Sequence, residues 1–182
     1  MDDIIRFVED KAGPTIHYSS LALAEIRPSH FKGTHFKSAL DFFEDLGPRF
    51  VQIEANPNVM VWAGELRDSQ STNPYPKATT TRVFSTPDAI QLMTCIYARD
   101  VLDVKDIVFQ TLDQGKGKTW EGKCIPLLGI EEWFPEPTRT ERLKTVCGLT
   151  RQKPYQAQGT LAGVVAHGKS FNTQPGDQDR AH

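Results

Sequence analysis

The chain has 182 residues, enough for one domain or two small ones, and its 38% hydrophobic and 24% charged residues are typical of a globular protein. A formal net charge of −2 excludes a general electrostatic attraction to nucleic acid. The three widely spaced cysteines argue against a disulfide framework, and no apolar run approaches the roughly 20 residues of a membrane span. We therefore expect an intracellular protein, cytoplasmic or nuclear, without a secretory signal.

Apolar spacing and turn residues predict a series of short elements in residues 1–66. A helix is expected over residues 2–11, a short strand over residues 15–18, and a second helix over residues 21–26. A third helix begins at Thr34, whose side chain can cap it. Glycine and proline separate these elements, as expected where helices end.

The third helix is predicted to supply the core of this first domain. Phe36, Leu40, Phe43 and Leu46 occupy the i, i+4, i+7 and i+10 positions of one helical face. We therefore expect these four side chains to be buried together.

A β-hairpin is predicted to complete the first domain. Residues 50–54 and 59–62 alternate like strands, and the Asn-Pro-Asn sequence at residues 56–58 is typical of a turn. The two strands would form the wing of a winged helix, with the connectivity α-β-α-α-β-β.

The rest of the chain divides by composition into three parts. Residues 67–81 are polar and contain two prolines, which predicts a linker. Residues 82–148 are predicted to form a smaller, mainly helical region, so that the whole chain is of the α+β class. Residues 149–182 are rich in Gln, Gly, Ser and Pro, which predicts a flexible, disordered tail. Within the second region we expect helices that begin near Thr86, Asp103 and Arg139.

Residues 1–66 resemble the LOTUS (OST-HTH) family of winged helices. The resemblance lies in the order of the elements and in the spacing of Ser20-Leu21, Phe36, Leu40, Phe43 and Leu46-Gly47. It implies a non-enzymatic module of an RNA-regulatory protein. Some such domains dock on DEAD-box RNA helicases, and others bind structured or G-rich RNA.

The outer face of the third helix is the predicted protein-binding surface. Residues 1–66 contain ten acidic and six basic residues, a net charge of −4, so DNA is not an expected ligand. An acidic helix fits a basic partner protein better, although charged helix faces are often simply solvated. The residues of this surface are His35, Lys37, Asp41, Glu44 and Asp45.

Direct RNA binding is the first alternative. Met60 and Trp62 would lie on the exposed face of the wing, where a tryptophan can stack on a base or cover its own core. Lys116, Lys118 and Lys123 would add a basic loop, which could equally be a solvated turn. Further basic residues of this half are Arg139, Arg142 and Lys144.

Enzyme chemistry has little support in the sequence. The histidines and cysteines lack the spacing of metal ligands, and neither a nucleophile elbow nor a dinucleotide fingerprint occurs. Residues 117–119 match the end of a phosphate-binding loop, but Leu112 occupies the position of its first glycine. We therefore predict no catalytic residues, no metal and no cofactor. A structural subunit of a larger assembly is the second alternative to protein docking.

Overall fold

The computed structural model describes residues 13–45, 47–72, 74, 81–113 and 123–153. Within these ranges the chain mixes helices with short parallel strands, so the α+β class is confirmed at that level. The strands are β1 (Ile16–Ser19), β2 (Phe50–Ile53), β3 (Phe109–Gln110) and β4 (Arg151–Gln152). The helices are α1 (Leu21–Glu25), α2 (Ala39–Asp45), α3 (Pro57–Arg67), α4 (Thr86–Asp100) and α5 (Glu141–Cys147).

The first sheet confirms two predicted strands and the helix between them. β1 pairs in parallel with β2, with Ile16 opposite Phe50 and Ser19 opposite Ile53. Parallel neighbours need a crossover connection, and α1 and α2 lie in it. β3 and β4 form a second parallel pair with Phe109 opposite Arg151.

The predicted hairpin is wrong, because residues 59–62 lie within helix α3. The Asn56 side chain accepts a hydrogen bond from the Val59 amide at 3.1 Å, and Pro57 follows at the first helical position. An Asn-Pro pair can begin a helix as well as a turn. Here Val59 and Leu66 are both buried on one helical face, so the helix provides more apolar burial than an exposed wing would.

The predicted core of the third helix is also wrong. Leu40 is 65% exposed, whereas Phe36 and Phe43 are half-buried. Phe43 stacks on Tyr18 of β1 with ring centroids 4.5 Å apart, so the aromatic residues around α2 pack against the edge of the first sheet. Helix α2 has only seven residues, which limits how much of one face it can bury. Leu46 lies outside the described residues.

The main core is formed by α3, α4 and the segments that follow them. α4 lies against α3, and Phe84 stacks on Phe134 with ring centroids 5.6 Å apart. Because α3 belongs to the predicted first domain and α4 to the second, the predicted boundary at residues 66–67 does not separate two cores. The core residues include Val59, Ala63, Leu66, Leu92, Met93, Ile96, Ile125, Leu127, Trp133, Leu143 and Val146.

Two of the three helices predicted in the second region are confirmed. α4 begins after Ser85, whose hydroxyl accepts from the Asp88 amide, and α5 begins after Thr140. The helix predicted from Asp103 is wrong, since Asp103 and Asp106 both have positive φ and the chain leads into β3.

Several predictions lie partly or wholly outside the described residues. The helix over residues 2–11, the loop lysines and most of the tail belong to this group. The first part of the predicted linker is hydrogen-bonded to the rest of the fold, because the Thr72 amide donates to the Trp133 carbonyl at 2.8 Å. Leu149, at the start of the predicted tail, is buried. None of the helices in the described ranges has the length and apolar character that crossing a membrane requires.

Candidate functional site

A groove of about 850 Å³ runs between β1 and the segment that leads into β3, with α4 beneath it. It separates the two small sheets, because β1 pairs on one side with β2 and β3 pairs on the other side with β4. The residues that line this groove are 14–19, Ala22, Ile53, Gln91, Thr94, Cys95, Ala98, 104–110 and Gln152.

The floor of the groove is one face of α4. Gln91, Thr94, Cys95 and Ala98 follow the i, i+3, i+4 and i+7 spacing that places side chains on a single helical face. Three of these four side chains are small, which leaves volume above the helix. The Thr94 hydroxyl donates to the Ile90 carbonyl at 2.8 Å and lies 3.2 Å from the Ser19 hydroxyl, so it also holds β1 against α4.

One wall of the groove is an open strand edge. The Ser20 amide donates to the Ile53 carbonyl at 2.9 Å and therefore points toward β2. Backbone groups of successive strand residues point to opposite edges. The amide and carbonyl groups of His17 and Ser19 consequently point away from β2, on the side of the groove.

The opposite wall is a second open edge. The amides of Phe109 and Thr111 donate toward β4, to the carbonyls of Thr150 at 2.9 Å and Gln152 at 3.0 Å. By the same alternation, the backbone of Gln110 points away from β4. Among the described residues each sheet has two strands, so both of these edges lack a strand partner where they line the groove.

Three carboxylates lie near Gln91 at the start of α4, but none of them lines the groove. The Gln91 side chain donates to the Glu25 carboxylate at 2.7 Å, and Asp88 lies one helical turn before Gln91. Asp113 follows β3, and its carboxylate accepts from the Leu127 amide at 3.2 Å. Burial raises the pKa of Asp88, the Ser85 hydroxyl opposes that rise, and the negative charge of Asp113 adds to it.

The groove contains a cysteine that is not activated as a nucleophile. Burial raises the pKa of Cys95 to about 11, so its reactive thiolate form is scarce near neutral pH. No group of three or more His, Cys, Asp and Glu side chains in the described part of the chain could hold a metal ion.

The predicted protein-binding residues lie together, away from the groove. His35 and Lys37 precede α2, and Asp41, Glu44 and Asp45 belong to it, with all five exposed. The Asp41 carboxylate accepts from the Lys37 amide at 2.8 Å, which ties the helix to its leading segment. All five residues are thus exposed on α2 or on the segment that precedes it, and whether a partner docks there stays a prediction.

The structure describes three of the predicted nucleic-acid-binding residues, Met60, Trp62 and Lys123. Met60 is exposed on α3, whereas Trp62 is half-buried between the Tyr97 ring and the Arg142 guanidinium, which lies 4.5 Å from its ring centroid. Trp62 thus covers the core, which was the alternative role considered for it. Lys123 is exposed, and Lys116 and Lys118 lie outside the described residues. Arg142 pairs with Glu65, and Lys144 pairs with Glu141.

Sequence reasoning missed the groove, because both of its walls depend on strand pairing across the chain. β1 and β2 are separated by about thirty residues, and β3 has only two residues. One local signal was available in the sequence. The small residues Thr94, Cys95 and Ala98 recur on one face of α4 and leave space above that face. Comparison of the chain with protein-family models, with curated proteins and with solved structures found no match.

Proposed function

We propose that this chain is a protein-interaction module that receives an extended segment of a partner protein in the groove. The observation that carries the proposal is that β1 and β3 both line one groove and, among the described residues, have no strand partner on that side. An added strand would convert two separate pairs into one sheet.

Backbone chemistry supports this occupant over a helix or a small molecule. Strand edges present rows of amide and carbonyl groups, and an extended segment can pair with both rows at once. Each net hydrogen bond contributes on the order of 1 kcal/mol, and leaving a buried group unpaired costs more. The small side chains on α4 leave room for the inward side chains of the added strand.

The α2 surface is a separate docking site that we propose on its charge alone. A DEAD-box RNA helicase is a proposed partner on the LOTUS resemblance alone, and the missing hairpin removes part of the pattern behind that resemblance. Direct RNA binding has less support, since Arg142 and Lys144 already pair with carboxylates.

The test is affinity capture from native extract, with and without RNase, using proline variants of two strands. His17→Pro removes an amide that faces the groove, whereas Gln52→Pro is the matched control. The Ile53 carbonyl points toward β1, so the neighbouring Gln52 backbone points to the outer edge of β2. Proline is tolerated at strand edges, and circular dichroism will check that both variants fold.

We expect a partner protein whose capture does not depend on RNA. The parent chain and the Gln52→Pro variant should both capture it after RNase treatment, whereas the His17→Pro variant should not. Charge reversal of Asp41, Glu44 and Asp45 should leave that partner bound. Loss of the partner on charge reversal, with retention by His17→Pro, would place docking on α2 and contradict the groove proposal.

A further inference from the structure

We infer that the strand received by the groove carries a hydroxyl side chain, serine or threonine, beside His17, and that the imidazole of His17 selects for it. This inference rests on the proposed function and adds a specificity-determining residue and the chemistry that it recognises. It follows from an imidazole without hydrogen bonds at the strand edge where the new strand would pair.

His17 combines an open backbone edge with an unsatisfied side chain. It lines the groove and is half-buried, and its Nδ1 atom is buried without a hydrogen-bond partner. Within the described part of the chain, its imidazole makes no hydrogen bond at all. Buried polar atoms of folded proteins nearly always have a partner, and leaving one unpaired is unfavourable. The bound strand can supply the partner that the fold does not.

The neighbouring polar side chains of the groove already have partners. The Thr94 hydroxyl donates to the Ile90 carbonyl at 2.8 Å and lies 3.2 Å from the Ser19 hydroxyl. The Gln91 side chain donates to the Glu25 carboxylate at 2.7 Å. These groups do not need the bound strand for their hydrogen bonds, whereas His17 does.

An added strand would bring its own side chains to the imidazole. Side chains two residues apart on a strand lie on the same face, so His17 shares the face of Ser19, which contacts Thr94 of α4. Side chains that are neighbours on adjacent strands also share a face, with Cβ atoms about 5 Å apart. A residue of the received strand beside His17 therefore has its side chain within hydrogen-bonding reach of the ring.

Covering the groove would remove water from the imidazole. Nδ1 is already shielded, and a strand on the β1 edge would shield the part of the ring that lines the groove. Unpaired ring nitrogens in a dry site oppose binding. A hydroxyl satisfies either nitrogen, because each of them donates or accepts according to the tautomer and a hydroxyl does both. A half-turn of the ring about the Cβ–Cγ bond lets either nitrogen face the strand.

Other polar side chains fit this position less well. A carboxylate or an ammonium would leave water for a groove floor made of Thr94, Cys95 and Ala98, and a buried charge without a partner is strongly unfavourable. Threonine also favours strands, because its Cβ is branched. Positions two residues before and after the hydroxyl face the same small side chains, where apolar groups fit. The recognised segment is thus extended, with one hydroxyl between two apolar side chains.

Selection of random heptapeptides displayed on phage, with the full chain as the immobilised target, tests this chemistry without a known partner. We expect the selected peptides to share a serine or threonine at one fixed position, with apolar residues two positions away. The best peptide is then synthesised together with a copy that lacks the hydroxyl, with valine in place of threonine or alanine in place of serine. Loss of the hydroxyl should weaken binding to the parent chain about tenfold.

The variant His17→Leu shows whether the imidazole is the partner of that hydroxyl, because it removes the ring and keeps the backbone amide. Binding to this variant should weaken by less than about twofold when the peptide loses its hydroxyl. His35→Leu removes an exposed histidine away from the groove and is the matched control, so it should behave like the parent. Circular dichroism will check folding, and the two peptides test the hydroxyl on the parent chain even if His17→Leu does not fold.

The remaining outcomes separate this inference from the proposed function. Peptides that share no hydroxyl but are lost by His17→Pro overturn this inference and leave the proposed function standing. A hydroxyl whose loss weakens binding to the parent and to His17→Leu equally also overturns it, because its partner is then another group. Peptides that bind His17→Pro as well as the parent, or a failure to enrich any peptide, overturn both.

Discussion

The surroundings of Asp88 disfavour its ionised form. The side chain is half-buried at the start of α4, with Asp113 close enough to raise its pKa. The Ser85 hydroxyl donates to it, yet burial outweighs that hydrogen bond. Carboxylates that cost stability in this way often belong to sites where another molecule supplies the missing charge.

Replacing Asp88 by asparagine should therefore stabilise the chain at neutral pH. The folded-state pKa lies above the ordinary value of 3.8, so the folded protein loses stability as pH rises and Asp88 ionises. Below pH 3.8 the group is protonated in both states, and the difference between Asp88→Asn and the parent should shrink. Urea midpoints measured from pH 3.5 to pH 7 check this, with Glu136→Gln as the exposed control. A difference that does not change with pH would contradict it.

At the scale of elements, α3 depends on a single capping residue. Asn56 accepts from the Val59 amide at 3.1 Å, and substitution by alanine leaves that amide without its partner. We expect Asn56→Ala to lower the free energy of unfolding by about 1 kcal/mol. Asn56→Asp keeps an acceptor and places a negative charge at the helix start, so it should be neutral or stabilising. Urea denaturation followed by circular dichroism distinguishes the two, and equal losses would argue against the cap.

Local signals predicted those elements that local chemistry determines. Thr86 with Pro87 predicted the start of α4, and the structure places the cap one residue earlier, at Ser85. Thr140 lies at the start of the confirmed last helix, and the alternation of residues 15–18 predicted β1. Asn56-Pro57 was ambiguous, because it is compatible with both a turn and a helix start. The alternation of residues 59–62 favoured the turn, and the buried face of α3 stabilises the helix instead.

Long-range contacts account for what the sequence did not predict. Helical spacing placed Phe36, Leu40 and Phe43 on one face, but Phe36 precedes α2 and Leu40 is exposed, because spacing cannot tell whether a partner face exists. Arg82 is 2% exposed, and its guanidinium lies 4.3 Å from the ring centroid of Trp133, which is distant in the sequence. The groove, with walls contributed by residues far apart in the chain, could not be predicted from periodicity.

At the scale of the whole molecule, α3 and α4 share one core. Val59, Ala63 and Leu66 from the predicted first domain pack with Leu92 and Met93 from the predicted second region. Burial of this kind couples the two parts, because exposing either helix would expose the apolar face of the other. The groove depends on the same arrangement, since α4 forms its floor and connects its two walls.

One cooperative unfolding transition should therefore include both predicted domains. Leu92→Ala removes a fully buried side chain from α4 and should lower the free energy of unfolding by about 2–5 kcal/mol. In a variant whose only tryptophan is Trp62, on α3, the fluorescence should show the same decrease in the free energy of unfolding, because α3 loses its packing when α4 does. Leu40→Ala is the matched control, since Leu40 is exposed and its loss should change stability by less than about 0.5 kcal/mol. Should Trp62 instead report a transition that Leu92→Ala leaves in place, residues 1–66 would unfold on their own, and the predicted division into two domains would stand.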